Sequence, residues 1–85
     1  MQGIIDAIKR ERHLQDGIWG EQNHPNDMWA VILGEEYGEV CNAVLAQPLC
    51  TMSLKSELVQ VAAVAIAWLE CIEQRERASD PDAME

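Results

Sequence analysis

Three carboxylates fall within five residues at Glu35, Glu36 and Glu39, inside a stretch that is otherwise apolar from Trp29 to Leu33 and again at Val40, Ala43, Val44 and Leu45. Wound as a helix at about 100° per residue, this stretch puts Trp29, Leu33, Tyr37, Val40 and Val44 on one stripe. Glu36 sits near the middle of that stripe, with Glu39 and Glu35 progressively towards its edge. A carboxylate in such a place has to be protonated, paired or bound to a cation, because burying it bare is too costly. A solvated acidic face balanced by lysines is the ordinary alternative for a run of Glu. It fits poorly here, since no Lys or Arg lies between Arg12 and Lys55. Glu57 opens a later apolar helix within reach of the Val61, Val64 and Trp68 face, and Gln60 lies one turn on along that face. Residues three and four apart are neighbours on a helix surface. The oxygens of Glu35, Glu36 and Glu39 can therefore converge on one or two divalent cations.

The elements that must position these groups are helices. The first is expected from about Gln2 to Asp16, stopping before Gly17, with Ile4, Ile5, Ile8, Arg12 and Gln15 along one face. Arg12 and Gln15 continue the apolar line of Ile5 and Ile8, so they point at whatever the helix packs on. Pairing with a Glu is the ordinary role for Arg12; reaching a phosphate is the sharper one. Residues 18–27 read as a connection rich in turn formers. In it Trp19 either folds back over the core or stacks on a nucleobase, His24 is a turn residue, and Asn26 or Asp27 caps the next helix. The second helix is expected from Asp27 to Ala46, ended by Gln47-Pro48. Its Gly34 and Gly38 each cost up to about 1 kcal/mol relative to Ala, which predicts a close neighbour there. The third helix is expected from Ser53 to about Ala78. From Leu58 to Leu69 only Gln60 is polar. Leu58, Val61, Ala65, Trp68 and Ile72 make one stripe and Val59, Ala62, Ala63 and Ile66 another. A helix apolar all round is buried all round, and three helices of one short chain cannot cover both sides, so a second subunit is expected to.

With 85 residues the chain makes one domain, residues 1–78, whose own core is marginal, followed by a flexible acidic tail at 79–85. The net charge of −9 opposes a nucleic-acid partner, since the phosphate backbone would be repelled, and suits divalent cations. No leader and no membrane span is expected, because the longest apolar run is too short to cross a bilayer. Cys41, Cys50 and Cys71 follow no metal-ligand spacing and read as reduced, packed thiols of a cytoplasmic protein.

The pattern Glu35-Glu36-x-x-Glu39, followed after an interval by Glu57-x-x-Gln60, resembles the EExxE and ExxD motifs of the MazG-like nucleoside triphosphate pyrophosphohydrolases, an all-α superfamily. The wording Glu11-Arg12, Gln15, Trp19-Gly20, Asn23-His24-Pro25 and Glu57-Leu58-Val59-Gln60-Val61-Ala62-Ala63 resembles a small bacterial and phage branch of it. The resemblance covers roughly residues 10–75. It implies an all-α fold of a helical hairpin plus an N-terminal helix, completed as a four-helix bundle in a homodimer or homotetramer. It also implies Mg²⁺-dependent hydrolysis of a ribo- or deoxyribonucleoside triphosphate, ordinary or modified, to the monophosphate and pyrophosphate. Glu36, Glu39 and Glu57 would hold the metal. Gln60 stands where the family has Asp; its amide oxygen can ligate Mg²⁺ but supplies no charge. Glu35 would orient or deprotonate the attacking water. Lys9, Arg12 or Lys55 would meet the leaving pyrophosphate, with Gln15 and Trp19 on the substrate side.

A di-iron carboxylate bundle is disfavoured, since no Glu-x-x-His occurs. The rival reading is a non-catalytic helical module that acts through protein interaction or nucleotide binding, and Gln60 is the position that separates the two.

Overall fold

The computed structural model describes residues 1–46 and 51–79, which form three helices and, among the described residues, no strand. α1 spans Gln2–Trp19, α2 Asn26–Ala46 and α3 Thr51–Ser79. α3 is the central element, with α2 folded back on it as an antiparallel hairpin and α1 laid along a second side. The arrangement is an N-terminal helix plus a helical hairpin, as expected.

The helix boundaries differ from expectation for local reasons. α1 runs through Gly17, which is exposed and meets nothing, and stops at Gly20. Gly20 has φ of 71°, in the left-handed region that favours glycine, and its N–H bonds the carbonyl of Asp16 at 2.8 Å. α2 starts at Asn26 with Trp29 N donating to the Pro25 carbonyl at 3.1 Å. Asp27 takes the N–H of Met28 at 2.9 Å, whereas the Asn26 side chain is drawn into contacts with α3. Ser53 lies inside α3, one turn before Glu57. Gln47-Pro48 and Cys50 fall outside the described residues, as does the tail beyond Ser79.

The core is small. Trp29, 1% exposed, packs with Val64, Ala67 and Cys71, flanked by Ile32, Leu33 and Trp68. Val40 and Ala63 are also buried. The α2 stripe is therefore Trp29, Ile32, Leu33, Glu36 and Val40. Tyr37 and Val44, placed on it by the sequence, are exposed, because one step of the wheel carries them past its edge. Ile4 and Ile5 of α1 are likewise exposed, so α1 is tied down by its later turns. Among the described residues nothing lies within 4 Å of a side chain added at Gly34 or Gly38, so the close neighbour expected there is not among them.

The 20–25 connection is clamped onto α3. Arg75 donates to the His24 carbonyl and to Asn26 Oδ1, Trp68 Nε1 donates to Asn26 Oδ1 at 3.0 Å, and Cys71 Sγ reaches Asn23 Oδ1 at 3.3 Å. The His24 ring stands edge-on to Trp29 with centroids 5.0 Å apart. His24 is thus part of a tertiary lock beyond its place in a turn. Trp19 is 61% exposed and does not fold back over the core, the first of its two expected places; Trp29 is buried, as its stripe predicts.

α3 is covered on two sides and open on a third. Glu70 and Ile66 share the side met by α1, and Val64, Trp68 and Cys71 the side met by α2. Part of the stripe assigned above to a second subunit is therefore covered within the chain. Facing neither helix among the described residues are Leu58, Ala62, Ala65, Leu69 and Ile72, spaced four, three, four and three residues apart, with Leu58 and Leu69 about half exposed and the other three half-buried. The radius of gyration of 15.2 Å exceeds the value of about 12 Å for a compact chain of this length.

Candidate metal centre

α2 and α3 run antiparallel, so a residue late in α2 meets one early in α3. That register places Glu36 and Glu39 beside Glu57, with one carboxylate oxygen from each lying within 4.8 Å of the other two. Mg²⁺ holds oxygens at about 2.0–2.1 Å, so its ligand oxygens are about 3–4 Å apart. A side-chain adjustment of under about 1 Å closes this set on Mg²⁺. Larger divalent cations fit with still less movement.

The electrostatics point the same way. Glu36 and Glu57 are half-buried, Glu39 is exposed, and one oxygen of Glu36 and one of Glu57 are shielded from solvent with no hydrogen-bond donor. Burial pushes the Glu36 carboxyl up from its ordinary value, and the charges of Glu39, Glu57, Glu11 and Glu35 push it further. Glu57 is raised by burial and by the neighbouring Glu39 carboxyl. Among the described residues the Lys and Arg ion pairs are those of Arg12 with Asp16 and Glu70, and none reaches the cluster. Two shielded carboxylate oxygens without donors, in a cluster of like charge, are a donor set for a hard cation.

The other sequence-derived residues are distributed as follows. Glu35 is exposed, on the turn between the apolar stripe and solvent, and close enough to act on Glu36. Gln60 is half-buried, one turn beyond Glu57 on the same side of α3. Lys9 and Lys55 are exposed. Arg12 is committed to structure: its Nη2 and Nε both donate to Glu70 Oε1, at 2.6 and 3.1 Å, and its Nη1 meets Asp16 at 3.1 Å. Burial opposes the Arg12 charge, but Glu70 and Asp16 outweigh it and raise its pKa. This is the ordinary pairing with a Glu. Gln15 is buried at 5% exposure, accepting from Arg12 Nη1 and donating to Glu11, both at 3.4 Å. Trp19 lies exposed at the end of α1.

Glu11, which enters the sequence pattern only beside Arg12, and Glu70, which does not enter it, are the partners of Gln15 and Arg12. The signal for Glu11 was present in the i, i+4 spacing of Glu11 and Gln15. Glu70 could not be found without knowing how α1 sits on α3.

Comparison of the chain with family models, with curated proteins and with solved structures returns no match.

Proposed function

We propose that this chain is a MazG-like, Mg²⁺-dependent nucleoside triphosphate pyrophosphohydrolase. The observation that carries the reading is the convergence of Glu36, Glu39 and Glu57 within 4.8 Å, with shielded oxygens on two of them left without donors. Mg²⁺ bound there would clamp the triphosphate and offset the charge that builds up as the bond between the α- and β-phosphates is broken. Glu36 and Glu57 supply the rigid, half-buried ligands, and Glu39 the exposed one on the side open to substrate. Glu35, exposed next to Glu36, is the carboxylate placed to orient the attacking water or take its proton. Arg12 is held in ion pairs. Neutralising the pyrophosphate therefore falls to the exposed Lys9 and Lys55, in this chain or a second copy.

The uncovered stripe Leu58, Ala62, Ala65, Leu69 and Ile72 supports a homodimer. A four-three repeat with small residues at its centre is a seam for close helix packing. Two hairpins joined along it make a four-helix bundle, and the elongated single chain gains the core it lacks. The second reading, a helical module that binds without turnover, is favoured by Gln60, which brings no charge to the metal.

The test is pyrophosphate release from the eight ordinary ribo- and deoxyribonucleoside triphosphates with Mg²⁺, with Glu39→Gln alongside. Monophosphate and pyrophosphate in equal amounts, lost in the variant, are expected. Binding of Mg²⁺ with no turnover of any ordinary or modified nucleotide would favour the module.

A further inference from the structure

The stripe Leu58, Ala62, Ala65, Leu69 and Ile72 on α3, which faces neither α1 nor α2 among the described residues, has two different ends. Its four-three spacing continues backwards from Leu58 to Lys55 and forwards from Ile72 to Glu76, with Glu73 beside it. All three charged residues are exposed, and among the described residues none is in an ion pair. A seam that is positive where it starts and negative where it finishes distinguishes between the two ways a second copy can lie on it.

Laid parallel, two copies set Lys55 beside Lys55, and Glu73 and Glu76 beside Glu73 and Glu76. Like charges so placed oppose association. The same arrangement brings both sets of Glu36, Glu39 and Glu57 to one end of the bundle, on chains that each carry a net charge of −9. Laid antiparallel about a twofold axis near Ala65, each residue at one end meets the opposite end of the other chain. Lys55 then lies beside Glu73 and Glu76, twice over. The shapes agree with the charges. Ala62 and Ala65 of one copy come against Leu69 and Ile72 of the other, small side chains facing large ones, which lets the helices approach closely.

We propose that the occupant of this stripe is a second copy of the chain laid antiparallel, with Lys55 of each subunit paired to Glu73 or Glu76 of the other. This rests on the homodimer reading and is independent of the nucleotide chemistry. It also fixes the layout of the metal centres. Glu57 lies two turns before Ala65, so the two carboxylate clusters stand roughly 25 Å apart along the bundle, at opposite ends. Each is built from α2 and α3 of a single chain.

The unmodified protein provides the test. A carbodiimide joins a lysine amine to a touching carboxylate without a spacer. Lys55 and Glu76 lie about 31 Å apart along one α3, too far to be joined within a chain. Cross-linked dimer should contain peptides joining Lys55 to Glu73 or Glu76, and mixing ¹⁴N and ¹⁵N chains should show by mass spectrometry that the two halves come from different chains. Lys55→Glu should weaken the dimer about tenfold in sedimentation, since twofold symmetry makes the loss twice. Adding Glu73→Lys and Glu76→Lys to it should restore the dimer, with the helical spectrum unchanged throughout. In a parallel dimer Lys55→Glu only exchanges one like pair for another and changes little. A dimer with neither the cross-link nor the loss overturns the antiparallel arrangement and leaves the Leu58 to Ile72 seam standing. A chain that stays monomeric at every concentration overturns the homodimer as well. Pyrophosphate release is unaffected by either outcome.

Discussion

Glu39 near the end of α2 and Glu57 near the start of α3 bring carboxylate oxygens within 4.8 Å of each other across the hairpin, and Glu36 completes the set one turn back. Like charges held that close are a liability to the metal-free fold and an asset once a cation arrives.

Removing one ligand should therefore separate metal binding from folding. Saturation at a hundred times the dissociation constant stabilises a protein by about 2.7 kcal/mol, which is a readily measured rise in melting temperature. Glu36→Gln and Glu57→Gln should abolish the rise produced by Mg²⁺ or Mn²⁺ while retaining the helical circular dichroism. An undiminished rise in both would remove these residues from the site.

The metal-free protein should respond to pH in a defined sense. Glu36 and Glu57 are raised above the ordinary glutamate value of 4.5, so the folded state binds more protons than the unfolded one. The stabilising contribution is present below the ordinary value and is lost as pH rises through the raised one. In chelator, Glu36→Gln should lessen this decline with pH and be the more stable protein at neutral pH. A steeper decline in the variant would contradict the assignment.

Arg12 and Glu70 join α1 to α3, with the Arg12 side chain 17% exposed and Glu70 56% exposed. Because Glu70 is largely in solvent, a double-mutant cycle with Arg12→Ala and Glu70→Ala should give a coupling of only about 1 kcal/mol. Arg12→Ala alone should cost more, since it also takes a bond from the buried Gln15. Urea unfolding of the four proteins measures this, and zero coupling would show that the pair does not hold α1.

Oligomerisation should depend on Leu69, 58% exposed, more than on Ile66, which lies in a groove with Ile5 and Ile8 of α1. Leu69→Glu should give monomers by sedimentation, with metal binding weakened only if the partner completes the site. An unchanged oligomer would exclude the Leu58 to Ile72 seam.

Gln60→Asp should tighten Mg²⁺ binding by about tenfold or more, since a neutral ligand becomes a charged one. Calorimetry gives the affinity, and pyrophosphate release gives the rate. If activity exists only in this variant, the native chain is a binding module.

Much of this was legible in the residues. The three helices, the grouping of Glu35, Glu36 and Glu39 on one helix, and the inward aim of Arg12 and Gln15 follow from periodicity and from the cost of burying charge, which act within one element. Boundaries were less legible: Gly17 passes unnoticed in an exposed helix, while Gly20 ends it through a backbone angle that composition does not reveal. What the tertiary structure alone decided is partnership. It set the α2–α3 register that brings Glu57 to Glu39, chose Glu70 for Arg12, left Trp19 in solvent, and buried Ala63 while leaving Leu58 and Leu69 open. Those outcomes depend on how whole helices pack, and helix packing is settled by the sum of many small contacts between residues far apart in sequence.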